Sequence, residues 1–251
     1  MQDPRHSDLE TVREVFDKIW NKEINSNTEI VPIPLCWVRA VAEGCMLREG
    51  IKVLEIGAGT GRLSLELARL GADVTVTDVS KASIKICGEL LNGAGVTHKS
   101  AVVNVNAIPF KEASFDAVFS SGLFEHFDKK YVTHFFEEKG RILKKGGRVV
   151  VLVPSARGIL YRIGKRWMEK HGWWIWGKEK PVWTYRFIKV PGLKFLYEKQ
   201  IDIFSQLPFL PPAHQPFFKS IFDWLAGGKD DLPWLAKIIG GYLLVSVFEK
   251  R

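Results

Sequence analysis

Three glycines at alternate positions, Gly57, Gly59 and Gly61, follow the apolar run Val53, Leu54, Ile56, and a leucine-rich stretch with Leu63, Leu65, Leu67 and Leu70 comes next. That order predicts a buried strand, a tight turn and a helix. Glycine permits backbone angles that other residues avoid, and it lets a ligand approach the main chain. The first turn of the helix offers unpaired N–H groups and a positive dipole end, which suit a carboxylate or phosphate. A dinucleotide fingerprint, G-x-G-x-x-G, requires glycine at position 62. That position is Arg62, and the third glycine falls one residue early.

The stretch Val74-Thr75-Val76-Thr77-Asp78 reads as a second strand ending in an acid, 17 residues after Gly61. An asparagine pair, Asn104 and Asn106, stands before a third apolar run from Phe115, and Glu125-His126 follows that run. Together with Glu55, Gly57-x-Gly59-x-Gly61 resembles motif I of the class I S-adenosylmethionine-dependent methyltransferases. The segment from Asn104 to Phe127 resembles the family's "D-A-x-x-L-P-F … F-D-x-V … E-H" stretch. Arg141-Ile-Leu-Lys-Lys-Gly-Gly-Arg148 resembles its "R-V-L-K-P-G-G" turn. The likeness covers about residues 51–155 and a last strand at 242–248. It looks closest to the quinone, sterol and small-metabolite branch.

The resemblance implies an α/β fold: a doubly wound, Rossmann-like, seven-stranded, mostly parallel sheet with an antiparallel last strand. It implies S-adenosylmethionine as cofactor and S-adenosylhomocysteine as product. The cofactor residues it implies are Glu55, Gly57, Ala58, Gly59, Gly61, Arg62, Asp78, Val79, Asn104, Val105, Ser120 and Ser121. Asp78 would accept hydrogen bonds from the ribose hydroxyls, with helix capping near residue 78 or 80 as the plain alternative. Asn104 departs from the family's aspartate, and an amide oxygen still accepts the adenine amino group. Asn106 is the fallback should the register shift by two.

Methyl transfer from a sulfonium asks chiefly for alignment and exclusion of water. A base is needed only where the acceptor carries a proton. His126, placed after the fourth strand, is the candidate base, with pinning of the following helix as the structural alternative. Trp20, Tyr161, Tyr185 and His214 are candidate substrate residues, and Trp37, His171 and His6 are further ones. Asp116 opens the fourth strand at the far end and reads as structural.

The composition, 46% hydrophobic and 25% charged, suits a globular protein. No apolar run approaches the roughly 20 residues that span a bilayer. The N-terminus has no signal-peptide core, and three cysteines without C-x-x-C spacing suggest reduced thiols, so a cytoplasmic protein without a metal centre is expected.

The chain divides by sequence into an N-terminal helical cap (1–50), a cofactor-binding core (51–156), an inserted lid after the fifth strand with a sixth strand (157–235), and a closing strand (236–251), all in one domain. The sixth strand reads over 200–206, with Ile201, Ile203 and Phe204, as the partner of the last one. Residues 157–199 hold eleven basic side chains against three acids, which equals the chain's net charge of +8, and five of its nine tryptophans. The segment reads as a lid with a solvated basic face, as a grip for an anionic or amphipathic acceptor, or as a peripheral contact with an anionic membrane. A nucleic-acid surface is disfavoured because no recognition motif accompanies it. The expected function is methyl transfer to a small, anionic or amphipathic molecule. The alternatives are another reaction class on the same fold, or a macromolecule- or membrane-directed methyltransferase docking through the basic segment.

Overall fold

The computed structural model describes residues 4–26 and 32–251. Seven strands are present among them: β1 (Lys52–Ile56), β2 (Asp73–Asp78), β3 (His98–Val102), β4 (Phe115–Ser121), β5 (Leu143–Pro154), β6 (Leu193–Ile201) and β7 (Leu243–Lys250). They form one sheet in the order β3-β2-β1-β4-β5-β7-β6. All pairs are parallel except those of β7, which runs antiparallel to both β5 and β6.

Side chains on the central strands alternate between two cores. Val149, Val151 and Val153 of β5 pack with Phe124, Phe135 and Phe136. Val150 and Leu152 pack with Val41, Leu63 and Leu67. A sheet covered on both faces needs strands that are apolar throughout, which the run Val149–Val153 supplies. Helices α1 (Pro4–Ser26), α2 (Leu35–Cys45), α3 (Arg62–Arg69), α4 (Lys81–Gly93) and α5 (Lys129–Ile142) flank the sheet. The segment after β5 adds α6 (Ile159–Lys170) and α7 (Gln215–Ala226). No helix among the described residues is long and apolar enough to cross a membrane.

The strand order reverses between β1 and β4. In an open α/β sheet the crevice at such a switch point, beyond the carboxyl ends of the strands, is where ligands bind. Ile56, Asp78 and Ser121 end their strands there.

One predicted element lies elsewhere. The partner of the last strand was expected over 200–206, but β6 occupies 193–201. Asp202 turns the chain with φ +61°, and Phe204–Phe209 form a 3₁₀ helix. Asp202 holds that corner by accepting from Trp37 Nε1 at 2.5 Å and from Ser205 N at 2.9 Å.

Gly61 opens α3 with φ +72°, and a Cβ there would sit 2.9 Å from Cys87 Sγ. Left-handed backbone costs a non-glycine residue about 1–2 kcal/mol. Gly61→Ala is therefore expected to lower the thermal midpoint by roughly 3–8 °C. An unchanged midpoint in a melting scan would show that the turn tolerates a side chain.

Candidate active site

The glycine turn is sewn to the end of β2. Gly57 N and Ala58 N donate to Thr77 O at 2.9 and 3.0 Å. Gly57 and Gly59 have φ of +72° and +56°. The Asp78 carboxylate accepts from Gly59 N at 3.0 Å through one oxygen and from Ser80 N at 2.9 Å through the other. Ser80, not Asp78, caps α4, its hydroxyl accepting from Ser83 N. The same hydroxyl hydrogen-bonds Asp17 of α1, which ties that helix across the top of the turn. Burial raises the Asp78 carboxyl above the ordinary aspartate range. Glu55, at the base of the loop, is 3% exposed and accepts from Ser64 Oγ at 2.6 Å, and burial pushes it up to about 8.

Nine of the expected cofactor residues line one cavity: Glu55, Gly57, Ala58, Gly59, Arg62, Asp78, Val79, Val105 and Ser121. Three do not. Gly61 faces Cys87. The Asn104 amide oxygen turns back to accept from Asn106 N at 2.9 Å, and it is Val103 and Val105 that face the cavity. Asn106 does not line it either, and its own side-chain oxygen is buried with no partner among the described residues. Ser120 points to the opposite face of the sheet, where it accepts from Lys139 Nζ at 2.9 Å.

The cavity continues from the glycine turn into an aromatic chamber. Trp20 lies over the turn, 3.0 Å from where a Cβ on Gly59 would stand. Phe16 meets the His126 ring edge-on at 5.2 Å, and Trp20 and Trp176 are 6.5 Å apart. Trp37, Trp174, Tyr242, Glu125 and Glu179 complete the wall that matters here. Two backbone links draw the 178–180 segment against His126: Lys180 N donates to Glu125 O, and His126 Nδ1 to Lys178 O, both at 2.9 Å. That second bond fixes the tautomer and leaves Nε2 as an acceptor. Burial lowers the His126 pKa, so the ring is neutral at pH 7. The histidine is thus pinned to the inserted segment instead of pinning α5.

The other substrate candidates scatter. Tyr161 is buried behind the wall, with its hydroxyl on Glu179. Tyr185 lies deep in the core against Phe124 and Phe136, and does not line the cavity. His214 is exposed at the end of a short 3₁₀ helix, and His171 packs on Trp167 at the exposed end of α6. Neither reaches the cavity. The His6 side chain lies outside the described residues.

None of the eleven basic residues of 157–199 lines this cavity. Lys165 is paired with Glu169 and stacked 4.3 Å from the Trp174 ring, and Arg162 lies on Trp183. The lysines and arginines expected to grip the acceptor are thus absent from the wall of this cavity, and Arg157, Arg186 and Lys199 line a second cavity instead. Sequence reasoning missed Phe16, Trp174, Trp176, Glu179 and Tyr242 as site residues.

Residues 54–151 match the family described as "Methyltransferase domain". This chain carries a class I, S-adenosylmethionine-dependent methyltransferase domain. A ubiquinone/menaquinone biosynthesis C-methyltransferase of Ralstonia pickettii is 32% identical to it over 122 residues, 46% of this chain and 48% of the relative. The chain thus matches about half the length of that curated relative. Among solved structures, one described by the conversion of a disulfide bond into a thioacetal group during echinomycin biosynthesis aligns with a TM-score of 0.63 at 20% identity, covering 95% of this chain and 92% of that one. The [4+2]-cyclase SpnF aligns at 0.57 and 17% identity, covering 86% and 80%. At such identities the methyltransferase domain shares the fold with these two.

Proposed function

We propose that the chain is an S-adenosylmethionine-dependent methyltransferase whose acceptor is a small amphipathic molecule with a substantial apolar or aromatic part. The observation that carries the reading is the continuity of the cavity: a glycine turn bonded to Asp78 at one end, an aromatic chamber holding His126 at the other. The residues present fit the cofactor. Each Asp78 oxygen, already accepting one backbone N–H, retains capacity for a ribose hydroxyl. Gly57 and Gly59 line the cavity where the methionine portion would lie, and Arg62 at the start of α3 suits its carboxylate. Val103 and Val105 offer apolar walls to the adenine. The bound cofactor supplies an electrophilic methyl group. The chain's own residues then align the acceptor and keep water out, which Phe16, Trp20, Trp174 and Trp176 do by covering the chamber.

The cavity holds Glu125 and Glu179 together with the aromatic chamber, and Arg62 lies at the cofactor end. The proposal therefore rests on the amphipathic character of the acceptor.

Calorimetric titration with S-adenosylmethionine and S-adenosylhomocysteine, with NAD as control, tests the reading. Both sulfur ligands are expected to bind and NAD not to. Absence of binding in folded protein sinks it. The fold also hosts cyclase chemistry, so passage of a labelled methyl group to an acceptor separates transfer from the alternative.

A further inference from the structure

At the far end of the cavity Glu125, His126 and Glu179 bring one ligating atom each within 4.8 Å of one another. They arrive from two distant parts of the chain. Glu125 and His126 belong to the short 3₁₀ turn after β4, and Glu179 to the inserted segment. The two backbone links of residues 178 and 180 bracket Glu179 and hold it opposite the pair. Because His126 Nδ1 donates to a carbonyl, its Nε2 lone pair is turned inward, the arrangement found where imidazole ligates a metal. The Glu125 side chain is 2% exposed; one carboxylate oxygen lies 4.0 Å from His126 Nε2, and the other has no hydrogen-bond partner among the described residues. A buried carboxylate oxygen normally has a partner. Two carboxylates close together in an apolar surround also repel unless a proton or cation lies between them. The Tyr161 hydroxyl bonded to Glu179 supplies the outer contact that orients a ligating carboxylate.

We propose that Glu125, His126 and Glu179 bind a divalent transition-metal ion. One imidazole and two carboxylates suit zinc or manganese, and three protein ligands leave coordination positions open, as in catalytic sites. Donors at about 2.1 Å from an ion stand roughly 3.4 Å from each other in a tetrahedral set. Small rotations of the two glutamate side chains close the present spacing to that value. The open positions face the chamber, so the ion would take an oxygen atom of the acceptor. That last step rests on the proposed methyl transfer; ion binding itself does not.

The test uses the full chain stripped of metal by a chelator. Zinc and manganese chlorides are titrated calorimetrically, bound metal is counted by mass spectrometry after dialysis, and S-adenosylmethionine is titrated separately. One ion per chain is expected. Affinity should fall tenfold or more in Glu125→Gln and in Glu179→Gln, and stay unchanged in Glu89→Gln, a change at an exposed acid on α4. Circular dichroism establishes that each variant is folded. A folded wild-type chain that takes up no ion, or an ion bound equally tightly by Glu125→Gln and Glu179→Gln, overturns the proposal. Ion binding without S-adenosylmethionine binding would uphold this site and overturn the methyltransferase reading instead.

Discussion

Replacing Asp78 by asparagine is expected to weaken S-adenosylmethionine binding by about 100-fold or more while leaving the chain folded. Both carboxylate oxygens are engaged on the protein side, by Gly59 N and Ser80 N. An asparagine must set its NH₂ against one of those two donors, which displaces either the glycine turn or the start of α4. On the cavity side it loses one acceptor and the negative charge. A hydrogen bond to a charged group is worth about 1.5–3 kcal/mol. The loss of one such bond and the weakening of another come to about 3 kcal/mol, or a factor of roughly 100 in the dissociation constant. Calorimetry reads this directly, and an affinity within threefold of wild type removes Asp78 from the ribose contact. The pH dependence has a definite sign. Burial raises the Asp78 carboxyl, and only the ionised form accepts through both oxygens. Affinity is therefore full above that raised value and is lost as pH falls through it, earlier than for an ordinary aspartate.

What was legible in the sequence was what is local. The β1–turn–α3 unit and the acid ending β2 depend on strand pattern, left-handed glycines and the length of one crossover, and all of these sit within residues 52–78. The choice between Asp78 and Ser80 as the cap of α4 was not legible. Both types cap well, and only the path of the chain shows that Asp78 faces the glycine turn. The edge strand β6 hid for another reason. Leu193–Ile201 carries Lys194, Glu198, Lys199 and Gln200, and a half-exposed charged strand at a sheet edge has no clean alternation to read.

The acceptor end was hidden because long-range contacts create it. Lys178-Glu179-Lys180 reads as a solvated charge run. Glu179 becomes a wall residue because Val182 N donates to Pro154 O and Lys180 N to Glu125 O, which lays the segment along the ends of β4 and β5. Composition likewise gave the amount of positive charge in 157–199 but not its direction. Of that segment Trp174, Trp176 and Glu179 line the chamber and none of the cations does, although Lys165 Nζ stands 4.3 Å from the Trp174 ring.

Lys139→Met is expected to stabilise the protein by about 3 kcal/mol near neutral pH. Lys139 lies on α5 with no exposed surface, its Nζ donating to Ser120 Oγ and standing 4.3 Å from the Phe124 ring. No carboxylate among the described residues pairs with it, and burial pushes its ammonium group down to about 7. An unfolded lysine titrates near 10.4, so the difference of roughly three units sets an upper bound of about 4 kcal/mol on what the buried charge costs. Leaving the Ser120 hydroxyl without its donor takes back about 1 kcal/mol. Methionine is unbranched and of similar length, so it fills the same channel. The sign with pH is fixed by the depressed value. Between about 7 and 10 the unfolded chain holds a proton that the folded chain does not, so wild-type stability gains as pH rises through this window. The advantage of the variant is therefore greatest at pH 7 and below and shrinks toward pH 10. Denaturant unfolding of both proteins at three pH values measures it, and an advantage that is absent at pH 6.5 or grows with pH refutes the account. Ser121, the neighbour of Ser120, lines the cofactor end of the cavity. A lysine that costs stability while holding Ser120 fixes the backbone of that wall from behind, so the stabilised variant should bind S-adenosylmethionine several-fold more weakly.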